Sequence, residues 1–420
     1  MKKSARNKER RKDLKARAKE RSALLGANGD FWITALTTAL TIFGVVMVFS
    51  ASYYNALNSA AQDPFAYLKK QAAFALIGFF LMWGLSRIDY HIFQKFSFWI
   101  LLVSILLLVA VLTPIGVTVN GATRWIPVGP VTIMPGEIAK AAMICFTAAF
   151  LTNFPDAIHK FSGYLVIGLV TAVVFILIFR QPNLSTGLTV VLIVLSIMFL
   201  DGMSKKVLSG MVALGVIGMV GLSMTGTYWA DRILSFLNPF KDPSGDGYQV
   251  VQSLLALGTG GLQGLGLGKS IQKNLYLPEP QNDFISAIIG EELGLIGMLL
   301  MMLAFALLIW RGMKAAMNAP DRFGVLMAGG ITSMIAIQVI LNIAVVTSSM
   351  PPTGIALPFI SYGGNALWIC MGSMGILLNI TRQSSEKERL KRKQEEARME
   401  EKERSSYIER LHRSPRWSSR

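Results

Sequence analysis

Ten stretches of this chain stay apolar for close to the thickness of a lipid bilayer: residues near 31–51, 72–87, 96–113, 136–152, 163–180, 186–201, 207–226, 285–310, 323–347 and 366–380. Roughly 17 to 25 such residues cross the hydrocarbon core as a helix, and a helix satisfies its own backbone polar groups where water cannot. The pattern predicts an all-α polytopic membrane protein with ten transmembrane helices and a membrane domain over residues 31–380. Composition agrees, because 16% of the 420 residues are charged, against about a quarter in soluble domains.

Charge sets the expected orientation. Residues 1–29 hold eleven Lys or Arg against three acids and residues 381–420 thirteen against eight, so most of the net +16 sits in two tails. Short loops near 88–95, 153–162, 202–206 and 311–322 are also basic for their length, whereas the opposite loops are not. The positive-inside rule then puts both tails, 1–30 and 381–420, in the cytoplasm and the long loop 227–284, between spans seven and eight, outside.

A nucleic-acid partner is not expected, since no aromatic residues interleave the N-terminal charges as a stacking surface requires. Anionic membrane lipid is. The N-terminus does not read as a cleavable signal, its charged region being too long. Residues 384–413 read as a solvated helix or a disordered tether. Cys145 and Cys370 lie in apolar segments, so no disulfide framework is implied. His91, His159 and His412 fall on the expected inner side, away from any external base or metal site.

Ionisable residues in membrane segments are functional candidates, because burying them in lipid costs several kcal/mol. Here they are Glu137, Lys140, Asp283, Glu291 and Glu292, with Arg124 and Arg180 near span ends. Pro135 suits a first helical turn, which leaves Glu137 near the positive helix end. Lys140 follows at i+3 on the same face; a structural ion pair and a substrate-facing role are both open.

A helical period aligns Asp283, Ala287, Gly290, Gly294 and Gly297 in one small-residue stripe, the kind against which a neighbouring helix packs closely. Asp283 would cap its outer end. Glu291 and Glu292 lie off the stripe and read as structural acids bonding unwound backbone nearby.

The glycine-rich "GLGLGKS" looks like a phosphate loop but has three residues, not four, between Gly264 and Gly268, and no strand precedes it. It reads instead as re-entrant backbone whose free N–H groups could meet a lipid pyrophosphate. The segment "SSMPPTGIALPFISYGGNAL", residues 348–367, is broken by three prolines and reads as a wall of the site.

"NGATRWIPVG" at 120–129, "LPEPQNDFISAIIGEELGLIG" at 277–297 and "TGIALPFISYGGNAL" at 353–367 resemble the GA-x-RW loop, the LPE-x-x-x-DF signature and the SYGG box of the SEDS family (shape, elongation, division and sporulation). The likeness covers nearly all of residues 31–380. It implies a bacterial cytoplasmic-membrane glycosyltransferase of cell wall biogenesis that polymerises lipid II, the undecaprenyl-pyrophosphate-linked disaccharide peptide, into peptidoglycan.

By this resemblance Asp283 is catalytic, and Glu137 and Lys140 match the family's QPSE-x-x-K acid and lysine. Arg124, Ser361, Tyr362, Gly363 and Gly364 belong to its substrate-binding loops. The chain departs from the pattern at Met134 and Gly136, and at Asn183, where an acid is usual. The basic tail leans toward the FtsW and SpoVE branch over RodA, implying cell division or sporulation. Implied partners are a class B penicillin-binding transpeptidase and divisome-type proteins.

The chemistry suits these residues. A sugar hydroxyl attacks an anomeric carbon carrying a pyrophosphate, already a good leaving group, so one base suffices where most glycoside hydrolases use two carboxylates. Asp283 would take the hydroxyl proton. Lys140 and Arg124, with a divalent cation such as Mg²⁺ or Mn²⁺ left open as cofactor, would neutralise the pyrophosphate, and attack opposite to it predicts inversion. The alternative is a lipid II flippase or other transporter, since intramembrane acids also mark ion pathways; a scaffold that recruits a synthase is compatible with the enzyme reading.

Overall fold

The computed structural model describes residues 29–58, 62–119, 121–129, 131–223, 236, 239–240, 245, 247–352 and 354–413. The basic tail 1–30, except its last two residues, therefore lies outside the described residues, as do most of 224–246 and the final seven residues of the C-terminal tail.

Among the described residues the elements are α1 (Phe31–Leu57), α2 (Ala66–Arg87), α3 (His91–Lys95), α4 (Ser97–Val111), β1 (Val117–Val119), β2 (Ala122–Val128), β3 (Val131–Ile133), α5 (Pro135–Asn153), α6 (Phe161–Phe179), α7 (Leu184–Leu200), α8 (Lys205–Ser223), α9 (Tyr248–Gly260), α10 (Ile285–Met317), α11 (Arg322–Val346) and α12 (Gly364–Arg413). Six helical segments are long and apolar enough to cross a membrane: α1, α2, α6, α10, α11 and Gly364–Lys387 of α12. Apolar α4 and α7 are shorter. The chain is a multi-pass helical membrane protein. Central α11 packs against α5, α7, α9, α10 and α12.

Three sequence expectations need correction. The chain is not all-α, because β1, β2 and β3 form an antiparallel sheet in that order. Its cue was an Asn-Gly pair at 120–121 between alternating residues, a hairpin signal, and Gly121 adopts φ +76°. Nor is 227–284 wholly loop: its residues 248–260 form α9, which buries Val250, Val251 and Ala256. Thirteen residues are too few to span a bilayer, so a search for spans passes over α9.

Third, the small-residue stripe is interrupted. Gly294 takes φ 68°, ψ −168°, and splits α10 into two helices across a kink. Residues 261–266 enter the break: Leu295 N donates to Gly261 O (2.9 Å), Ile296 N to Leu262 O (3.2 Å), Leu265 N to Glu291 O (2.9 Å) and Gly266 N to Glu292 O (2.9 Å). A left-handed φ costs glycine little, and the freed backbone groups are satisfied within protein. The close neighbour of this stripe is thus a glycine loop, and the N–H groups of Leu265 and Gly266 are spent on α10 instead of being free for a phosphate.

Away from the sheet, the connections between helices meet at one end of the bundle. Arg322 Nη2 reaches Asp201 Oδ1 at 2.7 Å, Gln383 Nε2 reaches Asp89 at 3.0 Å, and Arg311 pairs with Asp30, the N-cap of α1. From here α12 runs on unbroken to Arg413.

Candidate active site

At the sheet end, β2, β3, α2, α5, α7 and residues 279, 282–284, 352, 354–358 and 362–366 line a cavity of about 840 Å³. Asp283, Arg124, Glu137, Lys140, Tyr362, Gly363 and Gly364 all line it, although they come from four separate parts of the sequence. Ser361 does not line it. Its hydroxyl lies behind the wall, accepting from Leu357 N at 2.7 Å and donating to Asn282 O at 2.8 Å, which pins the 357–362 turn to the residue before Asp283.

Asp283 lies in the turn that enters α10, one residue ahead of the N-cap Phe284, and is partly buried. Its backbone is held from α11: Asn342 Nδ2 donates to Asp283 O at 2.8 Å and to Ile355 O at 2.7 Å, while its Oδ1 takes the Ser286 hydroxyl. Gly354, at φ +71°, lies against the carboxylate, and a Cβ there would be 2.9 Å from Asp283 Oδ2.

Glu137 and Lys140 sit in the first turns of α5, 7% and 5% exposed. Lys140 Nζ lies 2.8 Å from Glu137 Oε2, so the ion pair is formed, and both residues line the cavity. Arg124 on β2 donates through Nε to Gln181 O (3.3 Å) and through Nη2 to Pro182 O. It therefore braces the turn before α7 as well as lining the cavity.

The Tyr362 N–H donates to Gln281 O at 2.9 Å, and its ring meets Tyr67 edge-on at 5.0 Å. Burial, then the neighbouring Tyr67 and Glu279, raises its hydroxyl pKa above the ordinary value, so it remains a donor at neutral pH.

Beneath this wall, Glu291 accepts from Ser270 Oγ (2.5 Å) and Ile271 N (3.0 Å), and Glu292 accepts from Ser50 Oγ (2.7 Å) and from Lys273 Nζ (2.8 Å). Both acids are fully buried. They bond unwound backbone, as read from the sequence, and tie the loop leading to Asp283 onto α10 and α1.

Sequence reasoning missed Lys70, Trp125, Asn342 and Lys273. Lys70 and Trp125 line the cavity, the former exposed at the start of α2; a basic residue on the lysine-poor side was its signal. Asn342 lies about one turn from the C-terminal end of α11, where a polar residue among apolar ones was the only clue. Among the described residues no group of three or more His, Cys, Asp or Glu could hold a metal ion. The acids facing the cavity are Glu137, Glu279 and Asp283.

A family model described as cell cycle protein, FtsW/RodA/SpoVE, matches residues 31–386. The chain belongs to this family. It is 44% identical over 360 residues to stage V sporulation protein E of Bacillus subtilis, covering 84% of this chain and 97% of that one. It is 39% identical over 354 residues to a probable peptidoglycan glycosyltransferase FtsW of a Geobacter species, covering 84% and 96%.

Among solved structures it is similar, at 26% identity and TM-score 0.71, to a chain from work on structural coordination of polymerization and crosslinking by a peptidoglycan synthase complex, covering 85% of this chain and 98% of that one. The rod shape determining protein RodA of Thermus thermophilus is also similar, at 26% identity and TM-score 0.63, covering 85% and 97%. The SEDS resemblance of the sequence and the family match therefore agree.

Proposed function

We propose that this chain, a peptidoglycan glycosyltransferase by its family, polymerises lipid II at the outer face of the bacterial cytoplasmic membrane by an inverting mechanism, in cell division or sporulation. The observation that carries the reading is the convergence of Asp283 with Lys140, Arg124, Glu137 and Tyr362 on one cavity. Asp283 accepts the proton of the attacking sugar hydroxyl. Lys140, Arg124 and the exposed Lys70 offset the charge of the departing pyrophosphate, whose anion needs no general acid. Gly363 and Gly364 let substrate approach the backbone, and Tyr362 donates to it.

In this reading the fold crosses the membrane ten times with both termini cytoplasmic, and the cavity opens outward. Mg²⁺ holds few protein ligands and takes the rest from phosphate and water. A divalent cation here would rest on Asp283 or Glu137 together with the pyrophosphate, and would supply charge neutralisation. The partner is a class B penicillin-binding transpeptidase, in keeping with the synthase complex to which the fold is similar.

The test is polymerisation of purified lipid II by wild type and Asp283→Asn, with and without divalent cation. A general base contributes about 10²- to 10⁴-fold, so the variant should make no glycan while inserting and folding normally. Retention of more than about a tenth of the wild-type rate would remove Asp283 from the role of base. Transport of lipid II across vesicles without any polymer would favour a flippase.

A further inference from the structure

Helix α2 buries Gln71, Ala75, Gly78 and Met82, and of these Gln71 alone is polar. It is 0% exposed. A glutamine enclosed in this way is kept for its hydrogen bonds, since a buried polar group left unmet is costly. Both ends of its amide are met, and by one short stretch of chain. Gln71 Nε2 donates to Ser361 O at 3.3 Å, and Gly363 N donates to Gln71 Oε1 at 3.4 Å. One side chain thus holds the peptide group on each side of Tyr362.

That stretch needs holding. Phe359 takes φ +64°, a left-handed backbone that a residue with a Cβ keeps only where its surroundings impose it. Residues 281–282 give support from one side, where Tyr362 N donates to Gln281 O at 2.9 Å and the Ser361 hydroxyl to Asn282 O at 2.8 Å. Helix α2 gives it from the other. Tyr67, Gln71, Phe74 and Gly78 recur at i, i+4, i+7 and i+11, one face of the helix. The Tyr67 ring meets Tyr362, a Cβ on Gly364 would lie 3.0 Å from Phe74 Cδ1, and a Cβ on Gly78 would lie 2.4 Å from Met371 Sδ. Apolar contacts of this kind are non-directional. The orientation of the two peptide groups beside Tyr362 therefore comes from the hydrogen bonds of Gln71 and of residues 281–282.

We propose that Gln71 is a positioning residue for substrate binding: by clamping the peptide groups on both sides of Tyr362, it sets the place of Tyr362, Gly363 and Gly364 on the cavity wall and so governs affinity for lipid II. The inference rests on the reading of these three residues as substrate contacts. Turnover depends on a separate brace, because Asn342 holds the Asp283 carbonyl from α11.

The experiment uses the full chain in lipid nanodiscs with purified lipid II. Gln71→Met keeps the side-chain length and removes both hydrogen bonds, whereas Gln71→Asn keeps the amide and ends one carbon short of the turn. Lipid II affinity, polymerisation kcat and KM, and melting temperature are measured on the folded fraction of each variant, of Tyr362→Phe, and of Gln71→Met combined with Tyr362→Phe. Each Gln71 variant should weaken binding and raise KM about tenfold, the scale of one or two buried hydrogen bonds, with kcat within about twofold of wild type. Tyr362→Phe should also weaken binding, and the double variant should bind within about threefold of the weaker single, because a misplaced tyrosine has little contact left to lose.

A lowered melting temperature with affinity and KM unchanged reduces Gln71 to a packing role and overturns the proposal. So does a fall in kcat at constant KM, or losses that multiply in the double variant, which would separate Gln71 from Tyr362. Should Gln71→Met fail to fold, Gln71→Asn decides by the same split between KM and kcat. Wild type that binds lipid II without polymerising it counts against the polymerase reading, while the affinity ratios still decide the role of Gln71. Wild type that polymerises, beside Gln71 variants of unaltered affinity, removes this inference alone.

Discussion

The side-chain amide of Asn342, about one turn from the C-terminal end of α11, holds the backbone carbonyl of Asp283, the residue that heads α10, at 2.8 Å. Its second N–H takes Ile355 O at 2.7 Å, so one side chain couples two walls of the cavity. Asn342 is 1% exposed, which makes its hydrogen bonds the reason for its presence. Catalysis requires the reacting groups to be held to within fractions of an ångström, and this contact ties the backbone of the candidate base to α11.

Asn342→Leu should therefore leave two buried carbonyls without partners, at about 1–3 kcal/mol each. The polymerisation kcat should fall by about tenfold or more, because misplacement of reacting groups is severe in its effect. KM should move little. Steady-state kinetics alongside thermal unfolding in detergent checks this; a stability loss with kcat intact would reduce Asn342 to a packing role.

Gly354→Ala tests the contact on the other side of Asp283. The new methyl would lie 2.9 Å from Asp283 Oδ2 at a backbone φ of +71°, and non-glycine residues pay about 1–3 kcal/mol for such a backbone. A modest drop in melting temperature with a disproportionate loss of glycan synthesis is expected, read by a lipid II assay on the folded fraction.

Lys273 and Glu292 form an ion pair at 2.8 Å with side chains 3% and 0% exposed. Removing one partner of such a pair costs about 3–5 kcal/mol, largely by stranding the other charge. Lys273→Met should lower stability by that order. The double variant Lys273→Met with Glu292→Gln should recover more than half of the loss, and additive losses across the thermal-unfolding cycle would count against the coupling.

Lys70 is exposed on the cavity rim. An exposed charge of this kind contributes up to about 1 kcal/mol and is screened by salt. Lys70→Gln should raise KM for lipid II about two- to fivefold at low ionic strength, with the gap to wild type closing in high salt. Titrating salt in the assay for both proteins measures it.

The sequence determined by itself the membrane class, most helix positions and the cavity's principal charges, because each rests on local physics. Apolar runs long enough for a bilayer must be helical, and an acid and a lysine at i and i+3 in a first turn must share a face, as Glu137 and Lys140 do. Motif wording was enough to single out Asp283. What only the tertiary structure decided are relations between distant residues. Gly294 breaks α10 because Gly261–Gly266 supply replacement hydrogen bonds from outside the helix. Ser361 faces away from the cavity because the carbonyl of Asn282 lies behind it. Asn342 and Lys273 matter through partners 59 and 19 residues away, Asp283 and Glu292. Side-chain periodicity carries no record of such pairings, which arise only when helices pack and each buried polar group must find its partner.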